Sequence, residues 1–186
     1  MRCWPIWRRA APAAAAALAL AACGGSGDSA ASSTSRPGTV SPATCPISAD
    51  EVPPPPGGST DLSVKPVVSP ATAPPPAGLQ YADLVEGSGA EAVPGSRVEV
   101  KYVGAFYDTG QEFDSSWSRG AEQTLPFGIC QRGVIPGFAI GPSGMKVGGR
   151  RTITIPSELG YGAQGSPPKI PGGATLVFVV DLVKVR

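Results

Sequence analysis

Ala174-Thr175-Leu176-Val177-Phe178-Val179-Val180-Asp181-Leu182-Val183-Lys184-Val185 runs for twelve residues without a glycine or proline. Leu176, Phe178, Val180 and Leu182 fall on every second position, which predicts a long strand with one apolar face. The same reading applies to two earlier stretches. Residues 97–103 place Val98, Val100 and Tyr102 on one face and Arg97, Glu99 and Lys101 on the other. Residues 151–155 alternate Ile153 and Ile155 with Thr152 and Thr154, and residues 79–85 open the series. Strands of this kind, separated by Gly and Pro, predict an antiparallel sheet. Helix signals are confined to residues 135–140, where Pro136 suits a first helical position and Gly141-Pro142 stops the run. Residues 157–173, rich in Gly and Pro, form a loop long enough for so small a domain to read as a binding loop.

Outward from this core the composition changes. The 186 residues include 25 Gly and 22 Pro, and aromatic side chains make up 6%. That suits one modest domain plus a segment unable to build a core. Residues 24–77 hold twelve of the prolines, including Pro53 to Pro56 and Pro74 to Pro76, among Gly, Ser, Ala and Thr. They read as an extended, disordered linker. Before it, Arg2, Arg8 and Arg9 precede an alanine-rich apolar run over residues 10–22, the layout of a secretory signal peptide. The run is too short to span a bilayer, which takes about 20 apolar residues. Leu20-Ala21-Ala22-Cys23 resembles a bacterial lipobox. The resemblance implies cleavage before Cys23 and acylation of its thiol and new amino terminus, and more than one acyl chain gives stable anchoring. The alternative is secretion with Cys23 incidental. The organisation expected is a signal over 1–22, a lipid-anchored linker over 23–77 and a domain over 78–186, placed outside the cell on a bacterial membrane.

Several function classes are excluded early. A formal charge of +1 with both signs scattered gives no basic stripe for nucleic acid. The absence of histidine removes Ser-His and Cys-His catalysis and imidazole metal sites, and the spacing of Cys3, Cys23, Cys45 and Cys130 fits no paired metal motif. Neither cofactor nor metal is expected.

Five segments, read in order, carry a resemblance. Val100-Lys101-Tyr102-Val103-Gly104, Gly110-Gln111-Glu112-Phe113-Asp114-Ser115-Ser116, Val134-Ile135-Pro136-Gly137-Phe138, Gly160-Tyr161-Gly162-Ala163 and residues 170–178 are similar, in order and spacing, to the FKBP family of peptidyl-prolyl cis/trans isomerases. The likeness covers essentially all of residues 78–186. It implies an α+β fold, a curled antiparallel sheet of about five strands around one short α-helix, with an apolar pocket between them. By position it implies substrate contacts from Tyr102, Phe113, Arg119, Val134, Phe138 and Ile170, and catalytic roles for Tyr161, Asp114, Ile135 and Phe178. Tyr161 would donate to a substrate carbonyl and the Ile135 N–H would meet another. Asp114, held ionised by Arg119, would act electrostatically on the rotating carbonyl.

Each of these residues also has a plainer reading. Tyr102 and Phe178 suit the core of any β domain, Phe113-Asp114 before two serines suits a turn, and Gly160-Tyr161-Gly162 suits a turn with an exposed ring. The chain departs from the family at Phe138, where tryptophan is usual, and at Gln123, where an aromatic residue is usual. Lys169 and Ser166 differ as well. Residues 128–134 are about two longer than in short family members and contain Cys130. Once Cys23 is acylated and Cys3 lost, Cys45 and Cys130 are the remaining thiols, either paired in an oxidising compartment or both free. The resemblance further implies proline-containing polypeptide substrates, inhibition by FK506-type macrolides and a monomer. The competing reading is a non-catalytic module that holds proline segments in the same pocket, as a chaperone.

Overall fold

A computed structural model describes residues 45–120 and 122–186, all within one compact unit. The expected signal segment, Cys23 and residues 24–44 lie outside the described residues. Seven strands form one sheet: β1 (Asp50–Glu51), β2 (Gln80–Val85), β3 (Arg97–Phe106), β4 (Glu112–Ser115), β5 (Leu125–Gly128), β6 (Arg150–Ile155) and β7 (Leu176–Val185). Their order is β1-β2-β6-β7-β3-β4, with β5 also on β3. All pairings are antiparallel except β1 with β2. The five strands or so of the family expectation are exceeded by the two-residue β1 and by the division of one edge between two short strands. β5 covers Arg97 to Val100 of β3, and β4 covers Val103 to Ala105.

The alternation read from sequence is the alternation that packs. Val98, Val100, Tyr102, Ile153, Ile155, Leu176, Phe178, Val180 and Leu182 are buried in one cluster on the concave side. The helix α1 (Pro136–Ile140) lies in that concavity, with Pro136 in its first turn. It sits close to β6 because it presents glycine there: a Cβ on Gly137 would lie 2.4 Å from Ile155 and one on Gly141 2.6 Å from Ile153. Arg151, buried on β6, donates to the carbonyls of Gly141 and Ser143 at 2.9 Å and pairs with Asp83 at 2.7 Å. Bonding the carbonyls that a helix end leaves without partners fixes α1 to the sheet.

Residues 45–77 differ from the expected free linker. They cross the convex face of the sheet, turning at Pro56-Gly57 and at residues 62–64, and are bonded to it at several points. Asp50 and Val52 donate N–H groups to Leu79 and Tyr81 carbonyls, Lys65 pairs with Glu112 at 2.8 Å, and Ala71 N–H reaches the Tyr107 carbonyl at 2.9 Å. Pro66 is buried. Midway, the fully buried Arg150 guanidinium pairs with Asp181 and donates to the carbonyls of Ser59, Asp61 and Val64 at 2.9 to 3.1 Å. A proline-rich strand has carbonyl acceptors in excess of N–H donors, and Arg150 supplies donors. The apolar convex face is what it covers: Val177 and Val179 are buried there, although their positions alternate with the concave set. Cys45 and Cys130 are joined as a disulfide with Cα atoms 5.3 Å apart, so the strap begins tied to the loop ahead of α1.

Candidate active site

Five aromatic rings from five elements meet where α1 faces the sheet. Phe138 is the centre, 3% exposed, with ring centroids 4.9 Å from Phe178, 5.6 Å from Tyr102 and 5.2 Å from Phe127. Phe178 in turn meets Phe113 at 5.7 Å, edge to face. Such tilted and edge-to-face contacts match the ring quadrupoles and stiffen the cluster. Phe113 and Phe178 can pack this closely onto β3 because it carries Gly104 between them. A Cβ there would lie 2.7 Å from Phe178 and 2.9 Å from Phe113.

An open cavity of about 190 Å³ lies among these rings, lined by Tyr102, Phe113, Asp114, Leu125, Gly133, Val134, Ile135, Phe138, Tyr161 and Phe178. Eight of the ten residues carried over from the family lie in this lining. Arg119 stands at its rim, bound to two lining residues. Ile170 is instead buried in the core cluster, where its N–H and carbonyl both bond Ser166 and so pin the long loop. Gln123 is exposed, and Leu125 supplies the wall on that side. Leu125 and Gly104 were missed as site residues from sequence. Gly104 stood inside a quoted motif, and Leu125 and Phe127 alternate around Pro126, but that run is too short to register as a strand.

The polar groups are held by their neighbours. Phe113 and Asp114 lie in β4, not in a turn, and the buried Ser115 and Ser116 complete the backbone bonding of Tyr102: Ser116 Oγ accepts from the Tyr102 N–H at 2.9 Å, and Ser115 Oγ donates to its carbonyl at 3.2 Å. The Tyr102 hydroxyl donates to Asp114 and accepts from Arg119 at 2.8 Å, while Arg119 also pairs with Asp114 at 2.9 Å. Burial acts to raise the Asp114 pKa, but the Tyr102 hydroxyl and the Arg119 charge outweigh it and hold the carboxyl below its ordinary value. The Tyr102 phenol is pushed up, by burial first and then by its bond to Asp114. Tyr161, 38% exposed between two 3-10 turns at Ser157–Leu159 and Gly162–Gln164, is also pushed up, by burial and then by the negative charge of Asp114. At neutral pH the site therefore offers a fixed carboxylate and a protonated phenol. At the start of α1 the Ile135 carbonyl accepts from Phe138 and Ala139, whereas the Ile135 N–H has no backbone partner among the described residues. No cluster of metal-ligating side chains occurs among the described residues.

Rings on several sides, a free N–H, a phenol donor and a held carboxylate can grip a small apolar ring and polarise amides on either side of it. Among the described residues of the pocket, no serine or cysteine nucleophile is bonded to a base.

Comparison with known proteins gives a consistent result. Residues 89–183 match a family model described as FKBP-type peptidyl-prolyl cis-trans isomerase. The chain is 48% identical over 119 residues to a probable FK506-binding protein of Corynebacterium glutamicum, covering 64% of this chain and 97% of that protein. It is 49% identical over 112 residues to an FK506-binding protein of Streptomyces anulatus, covering 60% and 89%. Among solved structures, AtFKBP13 superposes with a TM-score of 0.53 at 36% identity, over 60% of this chain and 96% of that one.

Proposed function

Because the chain belongs to the family of FKBP-type peptidyl-prolyl cis-trans isomerases, we propose that it accelerates rotation about X–Pro bonds in polypeptides outside the cell, from a lipid anchor at Cys23. The observation that carries this reading is the aromatic pocket, with Tyr161, Asp114 and the unpartnered Ile135 N–H around it.

Rotation about the X–Pro bond breaks no bond. Its barrier, about 18–20 kcal/mol, is the loss of amide resonance. In the twisted state the carbonyl is less conjugated and the prolyl nitrogen more pyramidal. A pocket that holds the proline ring on Tyr102, Phe113, Phe138 and Phe178, away from water, favours that state over the solvated planar amide. The Tyr161 hydroxyl and the Ile135 N–H donate to substrate carbonyls and fix the chain on either side of the rotating bond. Asp114, kept ionised by Arg119 and Tyr102, places negative charge beside the carbonyl carbon of that bond, which is more positive once conjugation is lost. Val134 and Leu125 close the wall. Phenylalanine in place of the family's tryptophan at position 138 keeps the floor apolar and makes the pocket deeper. The two FK506-binding relatives support the reading that an FK506-type macrolide competes for this site.

The extracytoplasmic role rests on the signal layout and on Leu20-Ala21-Ala22-Cys23. Uncatalysed isomerisation takes tens of seconds and can limit folding, so a membrane-held catalyst serves proteins that fold after export.

Exchange spectroscopy on a short X–Pro peptide tests the activity. Cis and trans signals that merge or exchange faster with catalytic amounts of protein support it. Binding shifts at the pocket with no faster exchange would replace it with the non-catalytic chaperone reading. Labelled fatty acid incorporated into wild type but not Cys23→Ser tests the anchor, and equal labelling would remove it.

A further inference from the structure

Beside the aromatic pocket lies a larger groove, about 570 Å³, between the β3–β4 turn and the loop over residues 169–175. We propose that this groove is a second binding site, which takes an extended proline-containing flank of the same client chain whose X–Pro bond lies in the aromatic pocket. The proposal rests on the isomerase reading.

Four observations carry it. The groove is lined by Phe106, Tyr107, Lys169, Pro171 and Thr175, and by Pro75 of the chain's own strap. One edge already holds a segment of the proposed chemistry: the Tyr107 hydroxyl donates to the Pro74 carbonyl at 3.3 Å, and Pro75, next in sequence, lines the groove. An aromatic ring with a hydroxyl donor to a prolyl carbonyl is how extended proline-rich segments are held, because such segments are pre-extended and have accessible carbonyls. The groove also adjoins the pocket through packed rings. Phe106 packs on Phe113 at 5.2 Å, and Phe113 packs on Phe178 at 5.7 Å inside the pocket. Finally, its walls are tied together, since the Tyr107 N–H donates to the Thr175 carbonyl at 3.1 Å and the Tyr107 carbonyl accepts from Ala71. Little ordering remains to be done when a ligand arrives.

The spacing sets which substrates reach the groove. The two ring contacts in series span no more than about four residues of extended chain at ~3.1 Å each. A tetrapeptide centred on the pocket falls short, and a peptide extended by several residues on the correct flank reaches it.

The test compares kcat/KM for a tetrapeptide with values for ten-residue peptides extended toward either end, with amide shifts of the protein recorded alongside. Wild type is expected to prefer one extended series about five- to tenfold, with shifts at Tyr107 and Thr175 that the tetrapeptide does not produce. Tyr107→Ala, and Gln111→Trp at an exposed lining position, should bring the extended peptides down to the tetrapeptide value and leave the tetrapeptide unchanged. Equal rates for short and long peptides, equal losses on both, or no loss in either variant would overturn the proposal. Wild type inactive on every peptide would instead defeat the isomerase reading. The amide shifts then still decide the groove, and shifts that depend on protein concentration without peptide would assign it to a second copy of this chain.

Discussion

Tyr161 and Asp114 are the residues whose chemistry is most exposed to test. Tyr161→Phe keeps the ring and removes the donor, so kcat/KM should fall about tenfold, ~1.4 kcal/mol for one hydrogen bond to the substrate, with an unchanged melting temperature. The pH dependence follows from the shifts. The folded-state pKa of Asp114 is depressed, so its contribution to stability is complete above the unfolded carboxylate value, about 3.9, and is lost as pH falls through the lower folded value. Tyr161 is raised from an ordinary value near 10. With no histidine in the chain, kcat/KM should be flat from about pH 5 to 9; a bell-shaped profile would point to proton transfer. Gly104→Ala puts a methyl group against Phe178 and Phe113, and overpacking of this kind costs about 1–3 kcal/mol. It should lower activity more than Ala substitution at exposed Gln123. Most of this site was legible in advance, because motif spacing fixes which side chains converge. Leu125, Gly104 and the core position of Ile170 were not, since a wall residue, a missing Cβ and the direction of a loop side chain depend on packing.

At the scale of elements, the strands and the helix with clean periodicity were read close to their observed bounds, and β4 and β5 were not. Each has four residues and is held by pairing to β3 rather than by its own pattern. The strap was misread for a different reason. Proline-rich composition marks a segment unable to build its own core, but whether such a segment docks depends on the surface offered to it. The signals of that surface lay elsewhere in the chain: a β7 apolar at consecutive as well as alternate positions, which marks a strand covered on both faces, and an arginine beside it. Arg150→Ala leaves Asp181 buried without its partner and three strap carbonyls without donors. Breaking a buried pair in this way should cost about 3–5 kcal/mol in chemical denaturation. Cys45→Ser opens a covalent loop of 85 residues, worth about 4.6 kcal/mol in the chain-entropy account. A melting temperature unchanged by reductant would show that the strap is held by its non-covalent contacts.

For the whole molecule, the folded unit reaches back to Cys45, well before the boundary at residue 78 that composition indicates. A protein beginning at residue 78 loses β1, the disulfide and the cover over Val177 and Val179, and should be markedly less stable than one beginning at Cys45. With Cys23 as the anchor, only 22 residue steps separate it from Cys45, a reach of at most roughly 80 Å when fully extended. The proposed catalyst thus works within that distance of the membrane. The central claim is that the aromatic pocket lowers the barrier to prolyl rotation. Its most direct test follows cis-to-trans relaxation of a short X–Pro peptide with protein beginning at Cys45, with and without a stoichiometric FK506-type macrolide. Acceleration that the macrolide abolishes is the predicted result; folded protein that binds the macrolide yet leaves the relaxation rate unchanged would contradict it.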